Sequence, residues 1–423
     1  MSLAVGVMGA GAMYIHDANA TEGYFQQGYG ARQKALAGAG VADARDAMAL
    51  SINPAGLTGI GRQFSAALSL FSPHRQFTGE GGPGFTPLGT VKSSQEYFPI
   101  PNFGYSHPLS ENSALGIAIF GNGGMNTNYK NVENPACVSP PLPASSGVFC
   151  GGDAGVNLSQ LFIAVGYAYD FGGLSVGVSP IFAFQMFKAK GLAAFGGVSS
   201  DPTRLTNNGN DYSYGGGVRV GIEADLTDTL RFGATYQSKI YMTKFDDYAG
   251  LFADGGDFDI PQNFTVGLAL DATPSLTLMA DYKRIYYSGV NSVGNAPTTP
   301  LPLGAKDGPG FGWRDVDIIK VAAEWRANER WTLRFGTGFN DDPIEPEDVT
   351  LNILAPGVIK NHISGGFSFR VSPNSTIDFA GTGMRSHAVS GIEVTPAGPN
   401  PGHTIGLKMH QFEATIGWTY RFN

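Results

Sequence analysis

Few residues of this 423-residue chain combine the types and the spacing that catalysis requires. Gly173-Leu174-Ser175-Val176-Gly177 fits the G-x-S-x-G pattern of serine hydrolases, but that pattern acts at a turn from a strand into a helix. Here it opens a predicted strand that follows a tight turn. The seven histidines are scattered, no His/Cys/Asp cluster has metal-ligand spacing, and no glycine-rich phosphate loop precedes a helix. The sequence therefore predicts no catalytic residue, no metal site, no cofactor and no enzymatic activity.

The two cysteines are the remaining reactive pair. Cys137 and Cys150 lie in one predicted loop that is rich in proline and apolar residues. In an oxidising compartment such a pair forms a disulfide, and we expect one here. A clamped apolar loop would suit the first capture of an apolar ligand. The acidic run at 341–348 matches no defined calcium loop and is interpreted as solvated.

The amino-acid composition indicates what kind of fold the chain adopts. The chain has 60 glycines, 12 % aromatic residues and only 15 % charged residues, yet its mean hydropathy is −0.05. The net charge of −8 gives no basic excess for nucleic acid. Apart from the N-terminus, no stretch approaches the ~20 apolar residues of a membrane helix. Such a chain is typical of a membrane β-barrel, whose strands alternate polar and apolar faces.

The first residues predict a targeting segment. Residues 3–15 form an apolar run, and Ala18-Asn19-Ala20 has the small-residue pattern of a cleavage site. No lysine or arginine precedes the run, which departs from the usual pattern. We interpret residues 1–20 as a secretory signal peptide.

Residues 62–423 predict an all-β fold, a transmembrane antiparallel β-barrel of about fourteen strands. In the last strand, apolar residues from Phe412 to Phe422 alternate with polar ones, and other segments repeat this period of two. Short connections alternate with long ones, as turns and external loops do in outer-membrane barrels. The predicted long connections are 73–95, 125–157, 189–211, 243–261, 288–315, 340–360 and 385–409.

Residues 21–61 do not resemble strands. They are small and flexible, with a predicted short helix over Ala44–Leu50 that Asp43 would cap. A barrel of about fourteen strands encloses a wide lumen unless something fills it. We therefore predict that this segment is an N-terminal plug; the alternative is a disordered periplasmic tail.

Motifs in this segment resemble a known family. Glu22-Gly23-Tyr24-Phe25, Ala37-Gly38-Ala39-Gly40 and Asn53-Pro54-Ala55-Gly56 are similar to the hatch of the long-chain fatty-acid and hydrocarbon transporters of Gram-negative outer membranes, the FadL type. The resemblance implies a hatch in the lumen and uptake of hydrophobic molecules that leave sideways through the wall. It implies that Asn53, Pro54 and Ala55 take part in hatch movement; the alternative is a simple helix stop.

A weak place in the wall is predicted independently of the resemblance. Pro99 and Pro101 lack the N–H that a strand ladder needs. Gly121, Gly123 and Gly124 in the next strand permit a bulge or kink. Counting from a turn near residue 110 places Pro99 opposite Gly121. We expect a lateral opening between the second and third strands; the alternative is an ordinary bulge at the barrel rim.

Three inward-facing cations, Lys320, Arg334 and Arg421, are candidate partners for a ligand carboxylate, although lumen charges commonly pair with one another. The resulting hypothesis is a monomer in the outer membrane that takes up hydrophobic small molecules passively. The ligand would be a fatty acid, or a neutral hydrocarbon if no cation reaches the pocket. Membrane lipid and lipopolysaccharide would surround it. The alternatives are a general diffusion porin and a structural or adhesive surface barrel.

Overall fold

Fourteen long antiparallel strands form one closed barrel, which confirms the predicted fold class. The computed structural model describes residues 22–138 and 142–422, so the predicted signal peptide lies outside the described residues. The strands are β1 (Gln63–Gly81), β2 (Phe98–Pro108), β3 (Ser113–Asn126), β4 (Gly155–Asp170), β5 (Leu174–Lys190), β6 (Asp211–Asp225), β7 (Leu230–Gln237), β8 (Asn263–Thr273), β9 (Leu276–Ile285), β10 (Val316–Arg326), β11 (Trp331–Asn340), β12 (Asn361–Ser372), β13 (Ser375–Thr395) and β14 (Gly398–Arg421).

The barrel closes between its first and last strands. β1 pairs with β14 from Gln63–Arg421 to Gly81–His403. Two short strands add to the rim: Gly89–Lys92 pairs with β1, and Tyr241–Met242 pairs with β6. Every neighbouring pair is antiparallel, so consecutive strands run up and down around the barrel.

The alternation in the sequence places apolar side chains outside and polar ones inside. On β14 the buried side chains of Glu413 and Thr415 face the lumen, whereas Phe412 and Trp418 are 46 % and 45 % exposed on the outer surface. This is the reverse of a soluble protein, in which the exposed face is the polar one. An apolar outer face is what a bilayer requires of a barrel.

One end of the barrel carries short turns and the other carries long loops; we call them the turn end and the loop end. The predicted alternation is correct, but strands extend into two of the predicted long connections. β1 continues to Gly81 and Gly89–Lys92 is a strand, so 73–95 is largely strand, and the same holds for 385–409. There β13 and β14 continue as a long hairpin up to Thr395 and Gly398. The prediction was wrong because the polarity is reversed in this part of the hairpin: Ile405 and Leu407 are buried on its inner face, so its outer face is not apolar like that of a membrane strand.

The long loops fold inward over the lumen and build an apolar core. Trp313, Tyr129 and Phe187 are fully buried in it, and Cys137 and Cys150 are joined by a disulfide with an S–S distance of 2.09 Å. Among the described residues, no helix is long and apolar enough to cross a bilayer. The short loop helices are Ala193–Val198, Pro202–Arg204, Asp246–Tyr248, Ala253–Gly256, Tyr287–Gly289, Asn291–Gly294, Pro346–Asp348 and Leu351–Ile353.

Residues 22–61, here called the lumen segment, lie inside the barrel. The segment contains the α-helix Gly30–Ala35 and the 3₁₀ helices Ala49–Ser51 and Pro54–Gly59. The predicted helix over Ala44–Leu50 is wrong. The Asp43 carboxylate does not cap a helix; it bonds instead to the guanidinium groups of Arg32 and Arg231.

Candidate ligand cavity and wall opening

A cavity of about 400 Å³ lies between the lumen segment, the inward loops and the wall; we call it the main cavity. This volume falls within the range of ligand pockets, which are roughly 300–1,000 Å³. Its lining is mostly apolar and includes Tyr24, Phe25, Met125, Leu158, Trp313, Ala355, Met384 and Met409. The buried rings of Tyr24 and Trp313 pack with their centroids 5.8 Å apart.

The wall beside the main cavity is incomplete. β2 and β3 pair from Pro108–Ala114 only as far as Asn102–Phe120. Beyond that point β2 stays paired with β1, up to Phe98–Phe71. The residues of β2 and β3 nearest the loop end are therefore not hydrogen-bonded to each other. We call this opening the wall gap.

The lumen segment takes the place of the missing strand partner. The N–H of Gln26 donates to the carbonyl of Asn122 at 3.0 Å, and the N–H of Gly124 donates to the carbonyl of Tyr24 at 3.0 Å. The register of β3 on β4 shifts between Gly121 and Gly123, which marks a bulge. β3 thus turns away from β2 and pairs inward.

The unpaired ends of the two strands carry the prolines and glycines from which the sequence predicts an opening, but the register between the strands differs from the predicted one by two residues. Extending the observed pairing places Pro101 opposite Gly121, not Pro99, because the turn is centred on Glu111 and not on Ser110. Pro99 and Pro101 line the main cavity together with Gly121, Gly123 and Gly124.

The main cavity reaches the outer face of the wall through this gap. Its lining includes Leu161 of β4 and both Phe184 and Met186 of β5. On those strands the buried lumen-facing residues are their sequence neighbours, such as Gln160 and Gln185. The three apolar side chains therefore point outward, and a molecule in the cavity would meet both lumen and lipid-facing surface.

A chain of polar contacts connects the gap to the opposite strand. Gln26 Nε2 donates to the carbonyl of Gly121 at 2.8 Å. Lys34 Nζ donates to Gln26 Oε1 at 2.6 Å and pairs with Glu413 of β14 at 2.8 Å. Gln26, Lys34 and Glu413 all line the main cavity. A ligand that displaced one of them would also affect the rim of the gap.

Buried ion pairs fix the lumen segment to the wall. Arg32 pairs with Asp43 at 2.6 Å and with Glu324 of β10 at 2.9 Å. Glu22 pairs with Lys283 and Lys320, each at 2.5 Å. Burial alone would raise the pKa of Glu22, but the two lysines outweigh it and hold that pKa at about 2.

Asn53, Pro54 and Ala55 lie near the turn end of the lumen. Asn53 caps the helix Pro54–Gly59 by accepting from the N–H of Ala55 at 3.1 Å. Its Nδ2 donates to the carbonyls of Val41 at 2.7 Å and of Ile222 in β6 at 2.9 Å. The element is thus a helix start that also bonds the wall.

The predicted carboxylate partners lie elsewhere. Lys320 is bonded to Glu22, and Arg334 pairs with Glu324 at 2.7 Å. Arg421 is exposed at the turn end, where it borders a second cavity of about 410 Å³, as Arg334 also does. None of the three lines the main cavity. The prediction failed to place them because strand alternation gives the face of a residue but not its height.

Arg75 is the residue that sequence reasoning missed. It lines the main cavity, is 7 % exposed and has its guanidinium carbon 5.7 Å from the centroid of the Phe98 ring. Its Nη2 donates to the carbonyl of Gln95, but its Nε is buried without a hydrogen-bond partner. Within the described ranges it forms no ion pair, since Glu96 bonds His74 instead. The sequence did contain one indication of this role: in the alternation along β1, Arg75 occupies a position that faces the lumen.

A closed fourteen-strand barrel with an apolar outer face, a filled lumen and a mostly apolar cavity defines a transport barrel of the outer membrane. The chain belongs to the family described as outer membrane protein transport protein (OMPP1/FadL/TodX), which matches residues 6–422. This confirms the resemblance and the outer-membrane location. The members of this family are transport proteins, so the chain is a transporter and not an enzyme.

Individual relatives agree with this assignment. The long-chain fatty acid transport protein of Escherichia coli (strain K12) is 22 % identical over 393 residues, which covers 84 % of this chain and 85 % of that protein. The crystal structure of the Pseudomonas putida toluene transporter TodX is 18 % identical, with a TM-score of 0.68 over 94 % of this chain and 99 % of that one. A Pseudomonas aeruginosa FadL homologue is 15 % identical, with a TM-score of 0.68 over 95 % and 100 %.

Proposed function

We propose that this protein carries hydrophobic compounds passively across the outer membrane as a monomer. The external loops capture the compound, the main cavity holds it, and the wall gap releases it sideways into the bilayer. Residues 21–61 act as the hatch of the barrel formed by 62–423. The single observation that carries this proposal is the continuity of the main cavity from the lumen to the outer face of β4 and β5.

Lateral release has a clear energetic basis. Moving an alkyl chain from the cavity into water would cost about 0.8 kcal/mol for each CH₂ exposed. Passage through a gap bordered by Ile100, Leu161 and Phe184 exchanges one apolar surrounding for another. The compound therefore meets no aqueous step on its way to the hydrocarbon core.

Long-chain fatty acids are the proposed ligands ahead of neutral hydrocarbons. Two cations, Lys34 and Arg75, line the mostly apolar main cavity. Lys34 already has Glu413 as a partner, whereas the Nε of Arg75 is buried without one. A carboxylate would supply the missing acceptor, and charge-assisted hydrogen bonds are about twice as strong as neutral ones. The E. coli relative is named for the same class of compound.

The proposed gating element is Asn53-Pro54-Ala55. Asn53 holds one carbonyl of the lumen segment and one of β6, so a shift of the segment against the wall must break the bond to Ile222 of β6. The lumen segment also contributes Gln26 to the rim of the wall gap. A movement of the lumen segment at Asn53 would in this way be transmitted to Gln26 at the wall gap.

The filled lumen argues against a general diffusion porin, which needs an open aqueous path. A structural or adhesive barrel would need no cavity that leads through its wall. Neither alternative explains why β2 and β3 separate beside the main cavity.

The test is to obstruct the wall gap from its rim. A Cβ at Gly121 would lie 3.0 Å from the side chain of Ile100 and 3.4 Å from Gln26, so Gly121→Phe fills the opening. Gly383→Phe is the matched control, because Gly383 on β13 is exposed with nothing within 4 Å of a Cβ. We expect cells with Gly121→Phe to take up radiolabelled oleate and toluene at least tenfold more slowly, and Gly383→Phe cells to behave as wild type.

Binding of oleate to the purified Gly121→Phe protein should persist, since the main cavity remains. Normal uptake by a correctly folded Gly121→Phe variant would contradict lateral release. Folding is checked by the change in gel mobility of the barrel on heating.

A further inference from the structure

A basic patch lies on the outer face of the barrel at the seam between β1 and β14. Gln76 of β1 is paired on one side with Lys92 of the short strand and on the other with Lys408 of β14. Strands lie about 4.8 Å apart, so the two lysine backbones are roughly 10 Å apart. Both lysines are exposed.

The row immediately below contains two imidazoles. His74 of β1 and His410 of β14 stack with ring centroids 4.7 Å apart and an interplanar angle of 7°. Glu96, the carboxylate beside them, bonds His74 Nδ1 at 3.2 Å. The charges of Lys92, Lys408 and Glu96 all act on His410, so these groups form one cluster. Its two lysines outnumber its single carboxylate.

The cluster lies at the upper edge of the apolar band. Eleven residues separate Gln63, the first residue of β1, from His74. At about 3.3 Å per residue and a tilt of about 40°, this places His74 roughly 28 Å above the turn end, just beyond an apolar band about 25 Å tall. Directly below it, Phe412 and Leu70 are 46 % and 47 % exposed and begin that band.

From this arrangement we infer that the patch of Lys92, Lys408, His74 and His410 binds the phosphorylated headgroup of an outer-leaflet glycolipid. The long loops set this end of the barrel on the cell exterior, where the outer leaflet presents phosphates on a disaccharide. Two ammonium groups on alternate strands fit two separate phosphates, and the exposed apolar side chains below would contact the acyl chains. Phosphate and ammonium form charge-assisted hydrogen bonds. The site is separate from the transport path, because these four side chains do not line the main cavity.

The test is native mass spectrometry of the detergent-purified protein with three lipids: diphosphoryl lipid A, its dephosphorylated form, and phosphatidylglycerol. We expect wild type to bind one diphosphoryl lipid A, and the double variant Lys92→Gln/Lys408→Gln to bind it at least tenfold more weakly. Lys188→Gln is the matched control, since Lys188 is an exposed outward lysine near the loop end of β5. It should bind within twofold of wild type.

Three results would overturn the inference: equal binding by the double variant, equal binding of dephosphorylated lipid A, or equal binding of phosphatidylglycerol. The first result would show that the lysines do not bind the lipid. The second would show that the phosphates are not recognised, and the third that the site does not prefer a glycolipid. The change in gel mobility on heating shows that each variant is folded.

Discussion

At the residue scale, the main cavity is notable for polar atoms that have no partner within the described part of the protein. Gln27 Oε1, Arg75 Nε, Gln411 Oε1 and Glu413 Oε1 are all buried without a hydrogen bond, and all four residues line the cavity. Buried polar groups are normally paired, and one left unpaired costs about 1–3 kcal/mol. The main cavity therefore presents these groups to a ligand that carries its own donors and acceptors.

Arg75 provides the residue-scale prediction. Replacing it in the variant Arg75→Gln keeps polar contact but removes the charge that a carboxylate would meet. Hydrogen bonds to charged groups contribute about 1.5–3 kcal/mol, so oleate should bind roughly 10- to 100-fold more weakly. Toluene uptake should fall much less, because a neutral ring can lose only a cation–π contact worth about 0.5–2 kcal/mol and no charge-assisted hydrogen bond. Equilibrium binding of labelled oleate and cellular toluene uptake measure the two effects.

Arg421→Gln is the matched control, since Arg421 is exposed at the turn end and away from the main cavity. If both variants bound oleate equally well, Arg75 would have no part in recognising the carboxylate. If Arg75→Gln impaired oleate and toluene alike, its role would be in the shape of the cavity.

At the element scale, the loop between β11 and β12 is a cover for the main cavity. Residues Ala355, Pro356 and Gly357 of this loop line the cavity. The loop is fixed by the Tyr129 hydroxyl, which donates to the carbonyl of Ile353 at 2.9 Å, and by the Trp313 Nε1, which donates to Asn352 at 2.6 Å. Displacement of this loop would uncover the cavity from the outside.

Asp348 in this loop gives a pH-dependent prediction. The sequence analysis interpreted the acidic run as solvated, but Asp348 is buried. Its burial, with added repulsion from Glu347 and Glu345, raises the pKa of Asp348 to about 7. In an open loop the pKa would be about 3.9. The closed loop therefore holds the proton more tightly, and closure is most favourable below pH 4, weakens as the pH rises from about 4 to 7, and stays weakened above it.

Hydrogen exchange of residues 341–360, corrected for intrinsic rates, should be faster at pH 8 than at pH 5. The variant Asp348→Asn should lose this difference and exchange slowly at both values. Asp341→Asn, an exposed position in the same loop, should keep it. A pH difference that survives in Asp348→Asn would assign the effect to another group.

At the scale of the whole molecule, the strand pattern made the barrel predictable and left most of its interior unpredictable. The alternation of polarity along β14 and the alternation of short and long connections can both be read from local sequence. The same is true of the prolines of β2 and the glycines of β3, which predict where the wall is weak. The ion pair of Lys34 with Glu413 joins residues 379 positions apart, and nothing local specifies it. Pairings across the lumen depend on strand tilt and height, which periodicity does not contain.

Removal of the lumen segment tests the closed state of the barrel. A protein that lacks residues 22–60 should conduct ions in a planar bilayer, because a fourteen-strand barrel without its insert has an open lumen. The variant Asp43→Asn should conduct intermittently. Asp43 is the shared partner of Arg32 and Arg231, and breaking a buried pair costs about 3–5 kcal/mol. A folded deletion protein with no added conductance would show that the loops alone seal the barrel.

The wall glycines that face the lumen segment have a consequence for hybrids within the family. A Cβ would lie 2.0 Å from Asn53 at Gly221, 2.3 Å from the backbone of Ala47 at Gly104, and 2.4 Å from that of Leu36 at Gly336. The inner surface of the barrel wall therefore fits the lumen segment of this chain closely at these positions. A chimera that joins this barrel to the first forty residues of a distant homologue should assemble poorly until the wall residues that face the segment are changed to match it.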